Sequence, residues 1–291
     1  MTRLQRVKAS IWDVCRAISP KLEHELKRRF SRSYWDNWKE RTRQVRSCPD
    51  NAFIPRVPSA GKVIDGAQIM HNGLRVVIGS YYGKGPVDLL RKNKGVHEPQ
   101  EERVFQEVLK HIAPSSVMIE LGAYWAFYSM WFCRTVKGGR AYMVEPVAEN
   151  LDYGKRNFKL NSLQGHFTQA LAGAVSSVSL DGSRTVCVDD LVAQHQLSHI
   201  AILHSDIQGF ELEMLKGAEK TITQGKVSFF FISTHSEELH RACEEFLHHQ
   251  GCSTMASVTP AESFSIDGIL VCRASHAPTM PMIAVSRKKP N

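Results

Sequence analysis

The stretch VMIELGAYWAFYS, Val117 to Ser129, decides how the rest of the chain is read. An apolar strand ends in an acid and then a glycine, the outline of a turn that brings backbone close to a nucleotide-like ligand. Where a dinucleotide-binding turn carries further glycines, this one carries Tyr124, Trp125 and Ala126. The lack of G-x-G-x-x-G, which lets backbone approach a pyrophosphate, counts against a nicotinamide-dependent oxidoreductase.

Outward from this turn the chain alternates strands and helices. The pattern predicts strands near 116–120, 140–145, 166–171, 200–206, 227–233 and 267–272, and helices near 126–136, 147–160, 189–196, 210–223 and 236–250. Such alternation predicts an α/β, doubly wound, mostly parallel sheet covered on both faces, with HIAILHSD and VSFFFIST apolar enough for central strands. Upstream, KVIDGAQIMHNGLRVVIGSYYG reads as one or two short hairpins. HEPQEERVFQEVLKHIAPSS follows as a helix, with Pro99 in its first turn, Glu101 and Glu102 complementing its N-terminus, and Val104, Phe105, Val108, Leu109 and Ile112 on one face.

In such a sheet ligands bind beyond the carboxyl ends of the strands, so the residues just after each strand are informative. Glu120 ends the first strand, followed by Leu121, Gly122 and Ala123; Glu145-Pro146 ends the second, 25 residues later. An acid after the second strand suits both hydroxyls of an adenosine ribose, and one after the first suits a cationic amino group. The pair favours S-adenosylmethionine over NAD, although each acid alone fits a plain structural role equally well. Pro146 is expected to start the next helix.

Beyond the fourth strand, HSDIQG places His204 and Asp206 two apart on one strand face, with Gln208 as a positioning group and Gly209 permitting a tight turn. Glu211 is expected to serve the helix dipole. After the fifth strand, STHSEE puts His235 at another carboxyl end, while Thr234 and Glu237 have capping-box spacing. For proton removal His235 is the better base by its ordinary pKa, with Asp206 orienting it or the substrate. His204, Gln208 and His97 are candidates for the acceptor side. Asp189 and Asp190 read as helix N-terminal acids, and no metal is expected.

Composition bounds these readings. At 291 residues, 43% hydrophobic and 23% charged, the chain suits one large core with an appendage. Its seven cysteines are scattered without C-x-x-C, so neither a disulfide framework nor a structural zinc is expected, and a reducing, cytoplasmic setting fits. No signal-peptide or membrane-spanning pattern appears. The excess charge sits at the N-terminus: residues 1–46 hold 13 Lys/Arg against 5 Asp/Glu, leaving 24 of each elsewhere. There Leu4, Val7, Ile11, Val14 and Ile18, then Leu22, Leu26 and Phe30, recur at helical spacing before Tyr34, Trp35 and Trp38. Such a basic amphipathic segment suits a peripheral membrane surface, a second copy, or simple packing on the main domain. Nucleic acid is not expected as a partner. The division expected is a basic helical extension over 1–62, a hairpin and helix cap over 63–115, the core over 116–275, and a tail over 276–291.

Four blocks, in order, resemble those of FkbM-type S-adenosylmethionine-dependent methyltransferases: VMIELGAYWAFYSMWF, AYMVEPVAENLDYGKRNFKLN, TVCVDDLVAQHQLSHIAILHSDIQGFELEMLKGAEKTI and FISTHS. The resemblance spans roughly 63–275 and is most specific at Asp-Ile-Gln-Gly-Phe-Glu and Leu-Lys-Gly-Ala. It implies a class I methyltransferase fold, a Rossmann-like seven-stranded sheet with an antiparallel last hairpin, for which SFSIDGILVCR suits the final strand. It also implies O-methylation of hydroxyls on sugars, glycans or natural products. Glu120, Gly122 and Ala123 match the family's cofactor loop and Glu145 its ribose acid. Tyr124 stands where the family usually has Asn, Ala126 where it usually has Gly, and Gln208 where it often has Glu. Because Ala126 would open a helix, helical dihedrals are expected there, with Tyr124 and Trp125 either flanking the cofactor or packing on the N-terminal hairpin. The alternative to an enzyme is a non-catalytic relative that keeps the fold and docks on a membrane or assembly through its basic N-terminus.

Overall fold

Alternate residues of the central strands feed two separate cores, which makes the sheet a middle layer. In β4 (Val117–Leu121), Met118 faces one cluster while Val117, Ile119 and Leu121 face the other. In β11 (Val227–Thr234) Phe229 and Phe231 face the first and Phe230 and Ile232 the second. This two-residue period, with every β4 and β11 position buried, is what a strand covered on both sides requires. The computed structural model describes residues 32–289. The helical pattern expected over Leu4 to Phe30 lies outside them.

The first described element is helix α1 (Arg32–Ser47), followed by a 3-10 turn (Pro49–Phe53). Strands β1 (Val63–Ile64), β2 (Ala67–Ile69) and β3 (Arg75–Val77) form a small antiparallel sheet, the expected hairpins. Helices α2 (Lys84–Lys92) and α3 (Pro99–Leu109) lead to β4, α4 (Phe127–Thr135), β5 (Arg140–Val144), α5 (Ala148–Leu160) and β6 (His166–Thr168). A second small sheet holds β7 (Leu171–Ala172), β8 (Ser177–Val178) and β9 (Arg184–Val186). Then come α6 (Val188–Gln194), β10 (Ile200–Ser205), α7 (Glu211–Lys216), α8 (Glu219–Thr223), β11, α9 (Glu237–His249), β12 (Ser253–Val258) and β13 (Gly268–Arg273).

The main sheet has seven strands in the order β12-β13-β11-β10-β4-β5-β6. Pairing is parallel from β6 through β11, and β13 runs antiparallel to both its neighbours, the topology that the family resemblance implied. The entrance to β13 therefore lies at the same sheet edge as the carboxyl ends of β4, β10 and β11, with Gly268 registered on Thr234. Helices α3 and α4 and Phe158 of α5 cover one face; α6 to α9 cover the other.

Some elements depart from the pattern-based reading. The helix expected over 210–223 is two, α7 and α8, divided at Gly217 and Ala218, and Gly217 lies against Gly173 and Ala174 with no room for a side chain. Helix α2 and strand β12 were not anticipated. Pro146 precedes α5 by two residues; Val147 is the N-cap.

The N-terminal and C-terminal segments are tied to the core and to each other. Trp38 of α1 rests on Gly85 of α2, where an added Cβ would stand 2.5 Å from its ring. Residues after β13 run back over the molecule: the Ser286 amide donates to buried Asp50, Gln100 donates to the Ser286 carbonyl and Lys288 to Gln44 of α1. Among the described residues no helix is long and apolar enough to cross a membrane.

Candidate functional site

The loop 122–126 lies over the carboxyl ends of β4 and β5. Gly122 and Ala123 both donate to the Val144 carbonyl, at 2.9 and 3.0 Å, and Tyr124 donates to Glu145 Oε2 at 3.1 Å. Gly122 has φ +72°, and a side chain there would collide with the Asp206 carbonyl. Gly154 of α5 likewise gives the helix close approach to the Tyr124 carbonyl, 3.2 Å from where its Cβ would be. The loop is held from three sides before any ligand is considered.

Two further loop residues take left-handed backbone. Tyr124 has φ +46°, and Ala126 has φ +60° and ψ +39° as the N-cap of α4. This corrects the expectation of helical dihedrals at Ala126: it sits one step outside the helix, in the conformation where the family's usual glycine carries no penalty. Tyr82 and Gln208, which border the same region, also have positive φ. Strain of this kind collects where the surrounding structure over-determines a functional loop.

Glu145 is buried and accepts at both oxygens, from Tyr124 N, from Val147 N at 2.9 Å and from the Asn150 amide at 3.2 Å. Burial raises its pKa, outweighing those hydrogen bonds. Glu120 is buried too, but it turns beneath the first turn of α4, where it accepts the Ser129 amide at 3.1 Å. Burial pushes it up to about 7 against the opposing pull of His204 and Ser129. The structure thus corrects its expected contact with a cofactor amino group, since the carboxylate faces the protein rather than the open side.

Tyr124 and Trp125 pack on the segment after β3. Trp125 stacks on Tyr81 at 4.7 Å, Tyr124 meets Tyr82 edge-on at 4.9 Å, and the Tyr124 hydroxyl accepts the Tyr82 amide at 2.6 Å. Asn157 of α5 fixes this segment by accepting from Val77 and donating to the Trp125 carbonyl. Arg41 reaches in from α1, donating to the Tyr81 hydroxyl at 2.9 Å and standing 3.7 Å from Glu98.

At the carboxyl ends of β10 and β11 a histidine is surrounded by acids. His235 Nδ1 lies 2.9 Å from Glu211, and Nε2 lies 3.3 Å from Asp206 and 3.4 Å from Asp267. Gln208 donates to Asp206 at 3.1 Å, and its amide lies 2.9 Å from His235 Nε2. Burial alone would lower the imidazole's pKa, but Asp206 and Glu211 as hydrogen-bond acceptors and the charge of Asp267 outweigh it and raise it to about 10. The acids around His235 thus favour its protonated form, whereas the Gln208 amide nitrogen beside Nε2 suits a neutral ring whose proton sits on Nδ1 toward Glu211. Glu211, expected only to complement a helix dipole, is fully buried and holds both His235 and the Gly209 amide.

His204 and His97 are not at the open side. His204 is buried with Nε2 2.7 Å from Glu101, its ring against Tyr128. His97 is buried between Glu102, 2.6 Å, and Glu98, 3.2 Å, behind the Trp125 and Phe127 rings. Burial opposes its charge, yet the two carboxylates raise it to about 10. Direct acceptor contact is thus corrected for both; they buttress the wall of the site. Of the acids that hold them, Glu101 and Glu102 were expected to complement the helix N-terminus, and Glu98 carried no expectation. Their helical spacing to Phe105 and Val108 was the signal that they share the buried face.

Thr234 and Glu237 make no capping box: Ser236 caps α9 by accepting the Leu239 amide, and Thr234 bonds His240. Asp189 caps α8 through Thr221 and Lys220. No group of three or more His, Cys, Asp or Glu side chains among the described residues is placed to hold a metal ion.

The sequence model described as Methyltransferase FkbM domain matches residues 107–253. A protein of Jannaschia sp. (strain CCS1) named "Putative methyltransferase" is 28% identical over 178 residues, 47% of this chain and 62% of that protein. The chain thus spans under two thirds of this relative's length. Among solved structures, the O-methyltransferase from Bacillus cereus in complex with SAH aligns over 61% of this chain and 80% of its own, at 11% identity and a TM-score of 0.42. A precorrin-6y C5,15-methyltransferase from Geobacter metallireducens GS-15 aligns over 60% and 89%, at 14% identity and a TM-score of 0.41. With the family's domain matched across half of its length, and the sheet topology that domain implies, this chain belongs to the FkbM methyltransferase family.

Proposed function

We propose that this chain transfers a methyl group from S-adenosylmethionine to a hydroxyl oxygen of a sugar, glycan or natural-product acceptor. The observation that carries the reading is the loop 122–126 laid against Glu145 at the carboxyl edge of β4 and β5. The residues fit the cofactor there. Glu145 Oε2 accepts one N–H, so it keeps lone pairs for ribose hydroxyls, and at Gly122 only backbone can line the site. Glu145 would hold the ribose, Gly122, Ala123 and Tyr124 the methionine portion, and Pro146 with half-exposed Val147 the adenine side. Bound there, the cofactor supplies an electrophilic methyl group on a sulfonium.

The chain's remaining work is alignment and proton removal. Asp206, Gln208 and His235 form a polar group beside the loop, suited to orienting an acceptor hydroxyl. A second reading, a non-catalytic relative docking through residues 1–46, draws support from Tyr124 and Ala126, which combine a departure from the family pattern with left-handed backbone. Calorimetry separates the two. We expect S-adenosylhomocysteine to bind, with affinity at least about tenfold weaker in Glu145→Ala because two loop amides lose their acceptor. Absence of binding to the wild-type protein would sink the enzyme reading. Labelled methyl transfer to a panel of methyl glycosides and hydroxylated natural products tests the acceptor class.

A further inference from the structure

The turn between β3 and α2 holds a residue whose conformation folding alone does not explain. Tyr82 is bulky, yet its backbone is left-handed, with φ +44°. Its neighbour Tyr81 is buried against Trp125 and Arg41, whereas Tyr82 is 42% exposed, so burial offsets less of the backbone strain than it would for an enclosed ring. Strain held by an exposed aromatic residue points to function.

The turn is fixed in place and tied to the loop 122–126. The Gly83 amide donates to the Gly79 carbonyl at 3.1 Å, and the Tyr82 amide donates to the Tyr124 hydroxyl at 2.6 Å. The Tyr82 ring meets Tyr81 and Tyr124 edge-on, with centroids 4.9 Å apart in each pair. From Tyr124 the loop runs back to Gly122, against which the Asp206 carbonyl lies. Burial, and after it the charge of Asp206, raises the pKa of the Tyr82 hydroxyl, as expected for a ring beside that carboxylate. An open aromatic ring therefore borders the polar group of Asp206, Gln208 and His235.

We propose that Tyr82 determines acceptor specificity: its ring, braced edge-on by Tyr124, is the platform on which a pyranose ring of the acceptor stacks, bringing a ring hydroxyl to Asp206 and Gln208. The inference rests on the methyltransfer reading above and commits it to a sugar acceptor. A pyranose presents C–H groups on its faces and hydroxyls around its edge. The C–H groups suit the negative face of an aromatic ring, and the hydroxyls can donate to carboxylate and amide oxygens. An apolar alcohol could lie on the same ring, but it would leave most of the polar groups beside it without partners, which weakens binding.

Tyr82 precedes residues 107–253, so the platform is supplied by the part of the chain before the matched domain. It is also separable from the cofactor. The hydrogen bond to Tyr124 comes from the Tyr82 backbone and survives any substitution of its side chain other than proline.

The test compares wild type, Tyr82→Ala and Tyr82→Phe in three measurements: calorimetry with S-adenosylhomocysteine, saturation-transfer NMR of methyl glycosides with that product bound, and KM and kcat for labelled methyl transfer to glycosides and to hydroxylated apolar compounds. We expect Tyr82→Ala to bind S-adenosylhomocysteine within about threefold of wild type, which also reports that it folds, to lose saturation transfer to the glycosides, and to raise their KM about tenfold or more with kcat within about threefold. Tyr82→Phe, which keeps the ring, should restore both the NMR signal and KM. A glycoside KM in Tyr82→Ala within about threefold of wild type overturns the inference and leaves the methyltransfer reading standing. The inference also falls if no glycoside receives saturation from the wild type, or if Tyr82→Ala weakens transfer to the apolar compounds as much as to the glycosides. Loss of S-adenosylhomocysteine binding in Tyr82→Ala alone would make the ring part of the loop's packing and overturn the platform. A wild type that binds no S-adenosylhomocysteine overturns both readings.

Discussion

Ala126 shows how one methyl group divides its effects. Left-handed backbone costs an alanine about 1–2 kcal/mol relative to glycine, while its buried methyl contributes about 0.8 kcal/mol. The two nearly cancel, so Ala126→Gly should leave urea stability within about 1 kcal/mol of wild type. Ala126→Val, β-branched and without room to relax, should lose more than about 2 kcal/mol. Equal losses for both would mean that the backbone relaxes around any side chain. Gly122 is less forgiving, because its Cβ position coincides with the Asp206 carbonyl. Gly122→Ala should abolish S-adenosylhomocysteine binding in calorimetry even where circular dichroism shows a folded chain. At this scale the acids Glu120 and Glu145 were legible as strand-end carboxylates, but which one faces the open side was not. Glu120 lies inside β4 beneath the first turn of α4, whereas Glu145 lies one residue beyond β5, and sequence pattern does not fix strand ends that finely.

Between elements, the N-terminal helix is held by shape as much as by charge. Trp38 lies on the bare backbone of Gly85, Val45 is fully buried, and Lys288 reaches Gln44 from the tail. Gly85→Ala should therefore push α1 off α2 and raise the rate of trypsin cleavage at exposed Arg43 and Arg46 by about tenfold or more, with a lower thermal midpoint. Cleavage at the wild-type rate would show that α1 is anchored without Trp38. Helix α2 escaped the pattern reading because KGPVDLLRK opens with a Gly-Pro signal that also marks turns, although Pro86 suits a first helical turn. Strand β12 escaped because STMASV, an edge strand, has neither a long apolar run nor strict alternation, and a bulge interrupts its register.

Across the whole molecule, the buried histidine–carboxylate pairs set a pH dependence. His97 and His235 both have folded-state pKa values raised to about 10. The stabilisation they bring is fully present below their unfolded value of about 6.5 and is lost as pH rises through about 10. Stability measured by urea denaturation should fall between pH 6.5 and 8.5, by at most about 1.4 kcal/mol per pH unit for each histidine. His97→Gln and His235→Gln should each flatten that slope. Glu120 and Asp267, both raised to about 7, add a loss at the lower end of this window, and the buried thiols Cys48, Cys243 and Cys272, pushed up to about 12, add one above pH 9, so the histidine variants rather than the window isolate the histidines.

By itself the sequence determined what depends on near neighbours along the chain. The period of apolar residues set strands and helices, the acid-x-Gly turn and the acid 25 residues later marked the carboxyl ends of β4 and β5, and the ordered blocks identified the family. Tertiary structure alone decided which charged residues meet. Arg41, Glu98, Asp206, His235 and Asp267 come together from five separated segments, and no local spacing records that meeting. The same folding gathered three acids around His235 and raised Asp267, a turn residue with no role in the sequence reading, to about 7. Protonation follows the burial and charge around a group, and those are fixed only when distant parts of the chain close on one another.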